Sequence, residues 1–254
     1  MEYAVKNKIT IEHSHVYGEK AVVEITSNIK SIIYDTFLYT ADEDYLQARF
    51  LALHGQQRLF YWSACQCIEK YLKAILLLSG ESVKSFSHDI SKIFQKAVEV
   101  DENLSYVSLN LPIELEELNL DWGSNEVSEL ISLINKHGDA DKRYDYIGID
   151  CGPSVLIKLD QLVNTLRTRI TCGNIFQHKN IDSQLLKHFH NYNYCFAPKD
   201  FLHDDIHCLM KVFRLTNASL DLAVKGVFGY KDVYRNWLNK NIRIYLTNKK
   251  FKDD

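Results

Sequence analysis

Hydrophobic residues recur along this chain at helical intervals, with little of the strict alternation that marks half-buried strands. From residue 18 onward Val22, Ile25, Ile29, Ile32, Ile33 and Phe37 fall on one face of a 3.6-residue repeat. A helix is predicted there although β-branched residues lower its intrinsic propensity. A second helix over 42–54 carries stripes through Tyr45, Arg49 or Phe50, and Leu53, with Thr40 or Asp42 as its N-cap and Gly55 ending it. The strongest pattern follows over 57–79. Tyr61, Cys65, Ile68, Leu72, Ile75 and Leu76 make an apolar face, while Gln66, Glu69, Lys70 and Lys73 repeat on another. Glu69 precedes Lys73 by four residues, the favourable order for a helix ion pair. Gly80 suits the left-handed position past the helix end.

The second half continues in the same way. Ser87 is the expected N-cap of a helix over 88–98, with Ile90, Ile93, Phe94 and Ala97 inward. Residues 101–111 look like a loop. Pro112 suits a first helical turn, with Leu115, Leu118 and Leu120 inward. After a break at Gly123 and Ser124, a helix over 126–136 shows Val127, Leu130, Ile131 and Ile134, and Gly138 closes it. Residues 139–152 form a loop. Pro153 then opens a helix whose inward side is Val155, Leu156, Leu159, Leu162, Val163, Leu166 and Ile170, ending by Gly173. Residues 174–198 are a polar, aromatic connector, and further helices are expected over 198–214, 218–224 and 231–246. A short strand at Ile9, Thr10 and Ile11 is the one extended element expected. The fold class is therefore all-α, an antiparallel up-and-down helical bundle with short loops. The expected division is an N-terminal extension with one helix at 1–40, the bundle at 41–172, and a small helical C-terminal region at 173–254.

Composition narrows the function classes. A chain of 254 residues, 46% hydrophobic and 25% charged, can bury a substantial core. Three prolines and ten glycines are too few for a turn-rich β-fold. A formal charge of −3 gives no global basicity that would mark nucleic-acid binding. Six cysteines lack any CxxC pair, and the start of the sequence lacks a secretory pattern, so reduced thiols and a cytoplasmic location are expected. No apolar run approaches a membrane span.

One stretch narrows them further. Residues 42–91 contain Ala48-Arg49, Gly55, the run Gln66-Cys67-Ile68-Glu69-Lys70-Tyr71-Leu72-Lys73-Ala74-Ile75-Leu76, Gly80, and Ser87-His88-Asp89-Ile90. This combination resembles the HEPN domain family, with Cys67 where that family has alanine. Arg143-Tyr144-Asp145-Tyr146 is similar to the family's RYPD segment without its proline. The resemblance spans about residues 42–172. It implies a helical bundle that binds nucleotide or RNA at a symmetric homodimer interface, without metal or cofactor. On this reading the binding residues are Gln66, Glu69, Lys70, Lys73, His88, Arg143, Tyr144 and Asp145. The residues alone also fit an intramolecular reading, in which Glu69 pairs with Lys73 and Arg143 and fixes the loop.

Ribonuclease members of the family use an Arg-x4-6-His motif without metal. Arg49 and His54 match that spacing, and the resemblance implies a phosphate-holding arginine and an acid–base histidine yielding cyclic phosphate ends. Their location departs from the family, which carries the motif late in the bundle. Five residues also turn a helix by about 140°, which separates the two side chains unless the helix ends between them. The expected function is therefore nucleotide or RNA binding without autonomous catalysis. The alternatives are a metal-independent endoribonuclease of toxin or defence type, and a protein–protein interaction module gripping a cognate partner.

Two other constellations weigh less. His203 and His207 share a helix face, with His178, His188 and His190 upstream, but no third ligand is fixed by spacing and no metal is expected. Between 225 and 252, eight basic residues stand against one acid, interleaved with Phe228, Tyr230, Tyr234, Trp237, Tyr245 and Phe251. Such a tail can hold phosphates and stack bases, but the favoured reading is a buried helical stripe through Tyr234, Trp237 and Leu238 with lysines that solubilise the last helix.

Overall fold

A computed structural model of the chain describes residues 5, 7–10, 15, 18–139 and 151–171. The helical periodicity becomes six α-helices, with an isolated Ser108–Glu126 bridge as the extended pairing among the described residues. The fold is all-α. The expected helices beyond residue 173, the histidine group from His178 to His207 and the basic–aromatic tail lie outside the described residues, as does Ile11. Ile9 and Thr10 are not in a strand. Instead, the Val5 N–H donates to the Arg169 carbonyl at 2.8 Å and the Lys8 N–H to the Leu78 carbonyl at 2.9 Å. The N-terminal segment thus satisfies carbonyls at two helix ends that would otherwise lack a donor.

Helix α1 (Glu19–Ile33) and helix α2 (Tyr39–Leu53) are one rod. No cap separates them, contrary to the expectation of a new start at Thr40 or Asp42. A π-helical turn, Tyr34–Leu38, joins them, and the Tyr39 N–H donates to the carbonyl of Tyr34 five residues back. The inserted residue resets the phase of the apolar face. Inward positions step from Ile33 to Leu38, then to Ala41, Tyr45, Ala48 and Ala52. The Thr40 hydroxyl bonds the Thr36 carbonyl at 2.7 Å, and Asp42 is buried. In α1, Val22, Ile25 and Ile29 are half-buried, but Ile32, expected inward, is 62% exposed. The rod therefore runs unbroken through residue 40, where the expected boundary lies.

Helix α3 (Gln57–Leu78) is the central element, packing against α1, α2, α4 (Ile90–Val100), α5 (Val127–Gly138) and α6 (Pro153–Thr171). Its predicted apolar face, Tyr61, Cys65, Ile68, Leu72, Ile75 and Leu76, is buried throughout. At its end Gly80 takes φ +82°, and the Glu81 and Gly80 N–H groups return to the carbonyls of Leu76 and Leu77. A side chain at Gly80 would also meet the Lys8 carbonyl oxygen at 2.7 Å.

Helix α4 begins at Ile90, and its N-cap is Asp89, not the expected Ser87. The Asp89 carboxylate accepts from the Ser91 and Lys92 N–H groups at 3.1 and 3.3 Å. Asn135 of α5 completes the cap, accepting from the Ile90 N–H and donating to Asp89, each at 3.1 Å. Burial opposes the Asp89 charge, but these bonds and Lys92 outweigh it and lower its pKa. Two short 3₁₀ segments, Glu102–Tyr106 and Ile113–Leu118, bridge to α5 and seat Leu104 and Leu115 in the core. Pro112 precedes the second of these, so it opens a 3₁₀ segment in place of the expected α-helix.

Charged residues cross the core between α2 and α6. Asp42 and Arg49 lie seven residues apart on α2, and Asp160 and Arg167 lie seven apart on α6. Seven residues are close to two helical turns, so each pair shares a face. The helices run antiparallel, and each aspartate meets the other helix's arginine. The Asp42 carboxylate accepts from Arg167 Nε and Nη2 at 3.0 and 3.2 Å, and Arg49 Nη1 bonds Asp160 Oδ2. Tyr45 donates to Asp160 at 2.6 Å and Tyr71 to Asp42 at 2.5 Å. This double clamp fixes the register of α2, α3 and α6 beneath the surface considered next.

Candidate functional site

Most of α3 is enclosed. Its less buried positions include Trp62, Gln66, Lys70, Lys73 and Leu77, all half-buried, which trace a narrow stripe at three- and four-residue steps. Glu69 borders the stripe and is only 5% exposed. A buried carboxylate is costly unless its oxygens are bonded, and here both are. Lys73 Nζ donates to Oε1 at 2.6 Å, and the His88 ring meets Oε2 through Nδ1 at 3.0 Å. His88 sits just before α4 and its side chain is 79% exposed. Asp89 and Asn135, by fixing the start of α4, hold His88 over α3. Lys70, one turn before Lys73, pairs with Asp44 of α2 at 2.5 Å. Burial raises the Asp44 pKa against the opposing pull of Lys70.

This geometry has chemical consequences. The Lys73 ammonium has three N–H donors and Glu69 occupies one. The His88 ring is engaged at Nδ1, leaving Nε2 on the outward side. Lys73, His88 and Glu69 thus converge, with Gln66 and Lys70 on the same helix stripe. The intramolecular pairing foreseen between Glu69 and Lys73 is present, with His88 in the third position. Arg143, Tyr144 and Asp145 lie outside the described residues.

Arg49 and His54 have different surroundings. The Arg49 residue is 0% exposed and its guanidinium is bound to Asp160 in the double clamp. Burial opposes its charge, but the adjacent carboxylate outweighs that and raises its pKa. His54 follows the last residue of α2 and is exposed, with Nδ1 2.7 Å from the Phe50 carbonyl and its ring stacked on Phe50 at 4.0 Å. The cysteines are also inward. Burial, then the nearby Glu69, pushes the Cys65 thiol up to about 12, and burial raises Cys67 as well. Among the described residues no cluster of three or more metal-ligating side chains is found, and no helix is long and apolar enough to cross a membrane.

Read from the sequence, Asp42 is only a helix cap and Tyr71 only part of the motif run, and Asp160 and Arg167 are not singled out. The signal was present, since an aspartate followed seven residues later by arginine occurs on both α2 and α6. The sequence model of the HEPN domain matches residues 34–138, from the π turn to the end of α5. Over those residues the chain is similar to the HEPN domain family. Neither the curated proteins nor the solved structures gave a match.

Proposed function

We propose that this protein binds the phosphate groups of RNA or of a nucleotide along the α3–α4 stripe, as a homodimer and without cleaving its ligand. The convergence of Lys73 and His88 on the buried Glu69 carries the reading. Glu69 holds both side chains in place, so less side-chain freedom is lost when a phosphate is bound. Gln66 and Lys70 extend the donor row, and Arg143, Tyr144 and Asp145 are proposed as further contacts. A symmetric dimer would bring two such stripes together. The proposed bundle unit is 41–172, flanked by extensions at 1–40 and 173–254, and the proposed location is the cytoplasm.

The enzymatic alternative through Arg49 and His54 finds less support in the geometry, because Arg49 is enclosed and committed to Asp160. Labelled single-stranded RNA incubated with the protein in EDTA tests both readings in one gel. A retarded, uncut band is expected. Cleavage abolished by His54→Ala would favour the endoribonuclease, and no retardation would leave the interaction module. Light scattering is expected to return a dimer.

A further inference from the structure

We infer that ligand capture on the stripe is coupled to protonation of His88, so that a phosphate is held best by the imidazolium and its binding takes up a proton. This rests on the proposed phosphate-binding reading and adds to it a condition under which the site works. Glu69 Oε2 engages Nδ1 at 3.0 Å, which sets the hydrogen on that nitrogen. In the neutral ring Nε2 is then an acceptor, and its lone pair faces the oxygens of any approaching phosphate. After protonation the same nitrogen becomes a donor.

Local charge points the same way. With His88 neutral, Lys73 and Glu69 cancel, and at the head of α4 Lys92 pairs with Asp89 at 3.2 Å. The charged groups near the ring among the described residues include Glu69 and Lys73 from α3, Asp89 and Lys92 on α4, and Asp139 just past α5, whose charge acts together with those of Glu69 and Asp89 on Cys65. Protonation of His88 adds one positive charge beside Lys73 and turns an acceptor into a donor, the change that favours a phosphate. Because the side chain is 79% exposed, proton and ligand both have access to it.

Calorimetry of the full chain with a short oligouridylate, and separately with ATP, both in EDTA, tests this. Titrations run from about pH 5.5 to about pH 8, in two buffers of different ionisation enthalpy. Proton uptake is expected to rise from near zero at the acid end toward about one per ligand at the alkaline end, where affinity falls by up to about tenfold per pH unit. Binding of both ligands with this coupling marks phosphate as the shared determinant, and binding of the oligouridylate alone assigns the site to RNA. His88→Gln, at an exposed position where circular dichroism can confirm folding, should retain weaker binding with no pH dependence. Salt-dependent but pH-flat binding by the unsubstituted protein overturns the coupling and leaves the proposed function standing, and so does unchanged coupling in His88→Gln. No binding of either ligand at any pH overturns both.

Discussion

Replacing Arg49 by methionine separates a structural arginine from a catalytic one. Methionine keeps much of the length and volume but removes the charge that faces Asp160. The Asp160 side chain is 3% exposed and would keep only the Tyr45 hydroxyl at 2.6 Å. Breaking a buried ion pair by removing one partner costs roughly 3–5 kcal/mol, far above the 0–1 kcal/mol of a surface pair. In a chain of this size each kcal/mol is worth about 2–4 °C, so the melting temperature should fall by roughly 6–20 °C. Arg49→Met combined with Asp160→Leu removes both charges, and replacing a buried pair by apolar side chains is often neutral or stabilising. The double variant should therefore recover most of the loss. Thermal unfolding followed by helical circular dichroism measures all three proteins. A loss below about 1 kcal/mol for Arg49→Met, or a double variant worse than the single one, would refute the clamp.

Further outcomes follow from other parts of the fold. Asp89→Ala should cost about 0.5–2 kcal/mol in urea unfolding through loss of the α4 cap. Because the folded state lowers the Asp89 pKa, its charge-dependent stabilisation is present above the unfolded carboxylate value near 3.8 and is lost as pH falls through the folded one. Asp89→Ala should accordingly show a smaller stability loss at strongly acid pH than the unsubstituted chain. Gly138→Ala places a methyl group 2.5 Å from both the Tyr61 carbonyl oxygen and Cys65 Cβ, so α3 and α5 must part. A loss of about 1–3 kcal/mol is expected, and an unchanged midpoint would contradict that close approach. Mass-spectrometric mapping after alkylation near neutral pH should find Cys65 and Cys67 unmodified in the native protein and modified in urea, since both are buried and their thiols are pushed upward.

The periodicity of α3 to α6 made the bundle legible, because burial of one face is what a 3.6-residue pattern records. The π turn was not legible. Ile33 and Leu38 stand five apart, an interval that reads as a helix break until the extra residue is seen within a continuous rod. Asp89 was passed over for Ser87 because Asn135, its supporting partner, comes from 46 residues further along. The stripe of Gln66, Glu69, Lys70 and Lys73 could be read from spacing, and His88 from the motif it sits in. That Glu69 would be buried and shared depends on tertiary packing. For Arg49 the local spacing is silent about its tertiary partner. Its spacing to His54 suggested chemistry, while its actual partner, Asp160, is 111 residues away and becomes a neighbour only when α6 lies antiparallel to α2.

The central claim is that Lys73 and His88, gathered by Glu69, hold phosphate. Its most direct test is the salt dependence of single-stranded RNA binding by the unsubstituted chain and by Lys73→Ala. The account predicts weaker binding at every salt concentration for Lys73→Ala, with a slope of log affinity against log salt shallower by about 0.7, the loss expected for one phosphate contact. Equal affinity and equal slope in the two proteins would contradict it.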